Sequence, residues 1–247
     1  MGRIAKLKSE KAKTTIQVDG KKMYSERKYD YYPLTAKQLH YQRVKRIADS
    51  IFALAMLFIL AVPMLVVCVL QKASSPNEPI IFRQLRVGRG GQTFTITKFR
   101  SMQSSAPRYM PTGELQDGVR YISRFGRFLR DTSIDELPQL FQVLRGEMSL
   151  IGPRPLIPQE KEIHELRKAL GVYQLRPGLT GWAQVNGRDL LSVWEKAMLD
   201  REYLEKMSLK FDVKIFLMTV CKVIGREGIQ EGISPHGEDR NKKEELL

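Results

Sequence analysis

Cysteine and histidine are scarce in this chain: two cysteines, Cys68 and Cys221, and three histidines, His40, His164 and His236, are spread over 247 residues. Both cysteines sit in apolar stretches with no pairing or ligand spacing, which argues against a disulfide framework or a cysteine-based zinc site and fits a reducing, cytoplasm-facing domain. Three isolated histidines argue equally against a His-based metal cluster. Internal repeats are lacking, and so is the strand, GxxxxGKS or GxxxxGKT, helix pattern of a nucleotide phosphate loop. Acidic charge is in short supply. Lys and Arg number 41 against 27 Asp and Glu, a formal net charge of +14. That surplus points to anionic partners: nucleic acid, lipid head groups or phosphorylated small molecules. No recognised nucleic-acid-binding motif accompanies it.

The charge is unevenly placed. Residues 1–46 hold thirteen Lys or Arg against four Asp or Glu. Residues 1–43 are also short of aliphatics, so they read as a mobile basic arm with no core of its own. From Ile51 to Leu70 the chain then runs IFALAMLFILAVPMLVVCVL without a charge, long enough as a helix to match the hydrocarbon thickness of a bilayer. More than forty hydrophilic residues precede this run and no small-residue cleavage site follows it, which disfavours a signal peptide. Length alone suits an ordinary spanning helix. Two features favour a bent one that enters and leaves by the same membrane face. Pro63 removes a backbone donor and disfavours helical geometry at Val62. Basic residues also flank both ends, Arg43, Lys45 and Arg46 before and Lys72, Arg83 and Arg86 after, leaving no asymmetry to orient a span. The expected layout is a membrane-embedded helix over 44–72 bent at Pro63, a folded domain over 73–224 facing the cytoplasm, and a polar tail over 225–247.

Within the domain the texture is α+β and mainly helical. Phe82–Val87 and Thr93–Lys98 read as strands of a small β-hairpin, with Gly88-Arg89-Gly90-Gly91 as its turn rather than a phosphate loop. Helices are expected over Ser123–Arg130, Leu137–Leu144, Gln159–Leu170 and Ser192–Lys206. Phe211–Ile224 is apolar with Lys214 and Lys222, and reads either as a core helix or as an amphipathic helix in the membrane interface.

Candidate chemistry centres on Asp135 and Glu136 in Arg130-Asp-Thr-Ser-Ile-Asp-Glu-Leu-Pro138. Ser133 and Glu136 have capping-box spacing, and Asp135 as N-cap is the other register; either puts both acids in a helix's first turn. Acids there complement the helix dipole, which is the plain structural role. Their basic neighbours suggest more. Arg154 lies between Pro153 and Pro155, whose restricted backbone presets a side chain suited to bidentate phosphate contact. Lys98 and Arg100 follow the second strand, and Arg124, Arg127 and Arg130 recur at helical spacing, the first two as a solvated face.

The segments KRIADS, VGRGG, FTITKFRSM, RDTSIDELPQLFQVLRGEMSLIGPRPL, RPGLTGWAQVNGR and DREYLEKMSLKFDVKI, in that order between Lys45 and Ile224, resemble the monotopic polyprenyl-phosphate phosphoglycosyl transferases, the bacterial sugar transferases. The resemblance implies a re-entrant membrane helix bent at Pro63, Mg²⁺ dependence and ping-pong transfer of a sugar phosphate from a nucleotide sugar, commonly a UDP-sugar, to polyprenyl phosphate. It implies Asp135 as nucleophile and Glu136 as its metal-binding partner. It also places Lys98, Arg130, Arg154 and Arg188 near the substrate phosphates, and Arg100, close to Lys98 after the second strand, joins them as a candidate phosphate ligand. Val62 stands where the family commonly has Ser. The implied location is the bacterial inner membrane, with membrane lipids as partners, homo-oligomers admissible and nucleic acid not expected. A non-catalytic, membrane-anchored binding or scaffold protein is the competing class, resting on the basic arm alone.

Overall fold

The computed structural model describes residues 33–107, 121–187 and 190–225, together with two short strands, β1 (Ile16–Val18) and β2 (Lys21–Met23), paired antiparallel. Most of the described chain is helical. The first helix, α1 (Ala36–Ser74), runs 39 residues, about 58 Å at 1.5 Å per residue. Its start is set by a capping box: Thr35 accepts from Gln38 N, and the Gln38 side chain accepts from Thr35 N. The helix therefore begins at Ala36, and residues 36–43, assigned to the arm from sequence, belong to it. The assignment of helix continues through Pro63. Among the described residues α1 is the one helix long and apolar enough to cross a membrane.

The hairpin expected from sequence is present. β3 (Ile81–Val87) pairs antiparallel with β4 (Thr93–Phe99), in register from Ile81 opposite Phe99 to Val87 opposite Thr93. Its turn needs glycine, because Gly90 and Gly91 have φ of 71° and 74°, which a Cβ resists. α2 (Arg124–Asp131), capped by Ser123, leads into a 3-10 turn over Ile134–Gln139 and then α3 (Leu140–Arg145). The single helix expected over Leu137–Leu144 is thus split. Pro138 lacks an N–H and disfavours α geometry at Leu137, so the chain takes the tighter turn there.

Two further pieces were not read from sequence: the parallel pair β5 (Ser149–Ile151) and β6 (Gly178–Thr180), and the one-turn helix α5 (Trp182–Val185). Three- and four-residue segments carry no periodicity to read. α4 (Lys161–Ala169), α6 (Val193–Lys206) and α7 (Leu209–Gly225) complete the order.

Four apolar clusters hold the elements together. One joins Ile151 to Leu204, Tyr203 and Ile215 of α6 and α7, and a second joins Ile163 and Leu166 of α4 to Ala197 of α6. The other two lie against α1: Ala53 packs with Ile96, Leu140, Val143 and Met148, and Val67 packs with Phe99 and Leu129. The same domain therefore grips α1 on both sides of Pro63. Polar bonds repeat the grip. Arg46 donates to the carbonyls of Val143 and Leu144 at 2.5 and 2.6 Å, and Gln71 donates to Arg100 O at 2.5 Å. The opposite side of α1 is bare: Ile51, Leu54, Phe58, Ile59, Val62, Leu65 and Val69 are exposed.

Candidate active site

The acidic pair sits on the 3-10 turn at the foot of α3, and a glutamine fastens that turn to the hairpin. Gln142, 1 % exposed, donates to Thr95 O at 2.5 Å and accepts from Thr97 N at 3.4 Å. A short segment is thereby hydrogen-bonded along the edge of β4. Lys98, next on that strand, meets Glu136: Nζ lies 2.6 Å from Oε1. Arg154 reaches the same carboxylate oxygen at 3.6 Å.

Neither capping register expected for the acids forms. Ser133 occupies the left-handed region, φ 55° and ψ 17°, and its side chain makes no cap bond. Asp135 is not a cap either; it lies inside the turn. A non-glycine residue pays roughly 1–2 kcal/mol for left-handed geometry, and such strain concentrates at functional turns. Here it stands between α2 and the turn that carries both acids.

Asp135 is buried, and no hydrogen bond reaches its carboxylate among the described residues. Burial pushes its pKa above the usual carboxylate range; Lys98 opposes the rise, Glu136 beside it adds to it, and Arg130 and Arg154 oppose it. The Lys98 ammonium is pushed below its ordinary value, first by burial and then by Arg154, against the pull of Glu136 and Asp135. Both charges are strained by a dry site, and an anion arriving between the cations would relieve Lys98 and Arg154.

Arg154 is held through its backbone. Arg167, 3 % exposed, donates from one terminal nitrogen to Arg154 O at 2.8 Å, while its Nε and other terminal nitrogen contact Asp200 at 2.9 and 2.6 Å. Gly152 fixes the other side of this loop, since a Cβ there would fall 2.4 Å from Arg176 O. Arg86 crosses beneath the loop, donating to Pro155 O at 3.3 Å. Burial, and then Arg154, lowers its pKa to about 10.

Of the residues selected from sequence, the structure brings Asp135, Glu136, Lys98, Arg130 and Arg154 together. Arg100 is placed apart: Nε donates to Pro79 O at 2.8 Å and a terminal nitrogen to Ser104 Oγ at 3.0 Å, over the ring of Phe82. Arg188 lies outside the described residues. Arg124 and Arg127 are exposed, as expected of a solvated face. Sequence reasoning missed Gln142, Arg86, Arg167 and Asp200 as positioning groups. Gln142 and Asp200 did carry a signal, a polar residue on the apolar stripe of a helix.

For a metal, the site offers the two adjacent carboxylates; among the described residues no group of three or more His, Cys, Asp or Glu side chains converges. Hard oxygen donors of this number suit Mg²⁺, which is commonly held by one or two carboxylates plus substrate phosphates.

A buried Asp135 and a half-buried Glu136 thus lie among Lys98 and Arg154, on a domain packed against a long apolar helix. The chain belongs to the bacterial sugar transferase family, whose model matches residues 40–226. It is 44% identical over 156 residues to an uncharacterized sugar transferase, EpsL, of Bacillus subtilis, covering 63% of this chain and 75% of that one. It is 38% identical over 190 residues to a UDP-glucose:undecaprenyl-phosphate glucose-1-phosphate transferase of Xanthomonas campestris, covering 74% of this chain and 39% of that one. A protein of the same name from Caulobacter vibrioides is 41% identical over 190 residues, covering 73% and 69%. The chain thus spans about two-fifths of the Xanthomonas relative's length and more of the other two.

Proposed function

We propose that this protein transfers a sugar-1-phosphate from a UDP-sugar to undecaprenyl phosphate at the cytoplasmic face of a bacterial inner membrane, as the first membrane step of glycan or exopolysaccharide assembly. The observation that carries the reading is the contrast inside the dyad. Glu136 is neutralised by Lys98 and Arg154, whereas Asp135 is buried beside it with no hydrogen bond to its carboxylate among the described residues. An unbonded carboxylate next to cations is suited to attack phosphorus. The names of the Xanthomonas and Caulobacter relatives supply the substrate pair.

In this mechanism an Asp135 oxygen bonds to the sugar-bearing phosphorus while the bridging P–O bond to the nucleoside phosphate breaks, and UMP leaves with the electron pair. A phosphate oxygen of the lipid then attacks the same phosphorus and releases the Asp135 carboxylate, giving the polyprenyl diphosphate sugar. Lys98, Arg130 and Arg154 hold the diphosphate and offset charge that would otherwise repel the nucleophile. Glu136, with Asp135, would hold Mg²⁺, which when bound neutralises diphosphate charge.

The membrane element fits this chemistry. One domain packs against α1 at Ala53 and at Val67 and bonds it at Arg46 and at Gln71, an attachment most simply met when both ends of the apolar run are on the domain's side of the bilayer. That supports a re-entrant or surface-lying helix over a spanning one. The exposed apolar residues Leu209, Val213, Phe216, Leu217 and Val220 of α7 suit an interfacial position.

The test supplies radiolabelled UDP-sugar without lipid acceptor. Wild type acquires labelled sugar phosphate and releases UMP in proportion, and the label leaves when undecaprenyl phosphate is added. Asp135→Asn does neither, and Glu136→Gln is severely impaired. Label on another residue, or transfer only when both substrates are present together, overturns Asp135 as nucleophile.

A further inference from the structure

Away from the acidic pair, a cavity of about 380 Å³ opens where α1 meets the hairpin turn and the loop before β6. Its size is at the lower end of the range for small-ligand sites. It is lined by Leu39, Gln42, Arg43 and Arg46 of α1, by Arg89 of the turn and by Arg176 of the loop. The α1 residues fall at spacings of three and four, one face of one helix. Arg46 spends two nitrogens on Val143 and Leu144 carbonyls, and Arg176 donates Nε to Gly146 O at 2.9 Å. Arg43 and Arg89 have no hydrogen-bond or ion-pair partner among the described residues. The Gln42 side-chain nitrogen is buried with no acceptor among the described residues. Crowding of like charge is evident at Arg176, whose pKa is lowered by burial and then by Arg89 and Arg46. The nearby carboxylate, Asp49, is already taken by Ser149 at 2.6 Å. Four guanidinium groups and an amide donor, with no acid among the residues that line the pocket, form a cluster suited to an anion.

We propose that this pocket binds the phosphate of an anionic membrane lipid and seats the base of α1 on the bilayer surface. The phosphate chemistry follows from the guanidinium forks. The lipid source follows from position. Arg46 is five residues, about 7 Å of helix rise, from the start of the charge-free run at Ile51, at the depth of a head group when that run is in lipid. The site is separate from the dyad: Arg46 bonds the far end of α3, whereas Glu136 precedes that helix, eight residues or about 12 Å away along it.

The inference rests on the membrane reading of α1 and not on the identity of the nucleophile. The full chain, purified in detergent, is titrated with phosphatidylglycerol, phosphatidylcholine or inorganic phosphate and followed by native mass spectrometry. The expected result is one phosphatidylglycerol retained per chain, with phosphatidylcholine retained far less. Two surface arginines near a membrane contribute roughly 1 kcal/mol each, so Arg43→Ala with Arg89→Ala weakens retention by about thirtyfold. Neither side chain has a hydrogen-bond or ion-pair partner among the described residues, so the circular dichroism spectrum and the rate of sugar-phosphate transfer in detergent stay unchanged. Equal retention of phosphatidylglycerol by the double variant overturns the site. Saturation by inorganic phosphate, with no preference between the two lipids, assigns the pocket to a soluble phosphate compound and overturns the lipid source. A chain that transfers no sugar phosphate yet loses phosphatidylglycerol on the double substitution refutes the proposed reaction alone.

Discussion

At the scale of single residues, three side chains illustrate different kinds of dependence. Arg154 contacts Glu136 through one terminal nitrogen at 3.6 Å, and a planar guanidinium is built for bidentate contact with phosphate. Arg154→Lys retains the charge but loses the planar fork. Turnover is expected to fall by about tenfold or more, the size of one charge-assisted contact of roughly 1.5–3 kcal/mol, while the melting temperature is unchanged; wild-type turnover would make Arg154 peripheral. Asp200 acts at one remove. Asp200→Asn strands the buried Arg167 guanidinium, and removing one partner of a buried pair costs on the order of 3–5 kcal/mol. Urea unfolding should show that loss, together with reduced turnover because Arg167 also holds Arg154 O. Ser133 is a backbone case. Ser133→Gly accepts φ 55° without strain and should leave stability unchanged or slightly raised, whereas Ser133→Val, with a β-branched side chain in left-handed geometry, should lose roughly 1–2 kcal/mol by the same assay.

At the scale of elements, α1 is the proposed contact with the bilayer. Sequence led to a bend at Pro63, and the proposed same-side topology has support that does not depend on the bend: one domain packs against α1 at Ala53 and at Val67. The missing Ser before Pro63 therefore removes less than it first suggests, since Val62 is 70% exposed and packing elsewhere holds the helix. With Cys68 and Cys221 replaced, Lys37→Cys and Ser104→Cys should react equally with a membrane-impermeant maleimide in sealed vesicles. Protection of one and not the other would mean a conventional span. Pro63→Ala should leave that labelling pattern intact, because the contacts of Ala53 and Val67 remain.

For the whole molecule, a polar junction joins the membrane helix to the C-terminal half. Asp212 of α7 accepts from Lys45 at 2.6 Å, from Tyr41 at 2.7 Å and from Tyr203 at 2.7 Å. Lys45 also lies 3.5 Å from Asp49, which is bonded to Ser149 at the start of β5. α1, β5, α6 and α7 thus meet at two buried carboxylates. Asp212→Ala leaves Lys45 and two tyrosine hydroxyls poorly paired, and should destabilise the fold by roughly 3 kcal/mol, read as a lower urea midpoint in detergent with turnover reduced in proportion to unfolding.

The sequence by itself determined the elements with long periods or strong punctuation. The apolar run, the hairpin around Gly88 to Gly91 and the helices capped by Ser123 and Ser192 were all legible, because local rules of spacing and capping dictate them. The acidic pair and its basic company were legible as residue types. Their geometry was not. Ser133 in left-handed backbone, the 3-10 turn ahead of α3 and the diversion of Arg100 to Pro79 and Ser104 depend on contacts with β4, with Pro138 and with the 78–104 edge. The Arg167 and Asp200 support under Arg154, and the arginine pocket at the base of α1, join residues 33 and more than 80 positions apart. Such pairings leave no trace in local pattern, since the free energy that selects them arises only when distant segments exclude water from the same place.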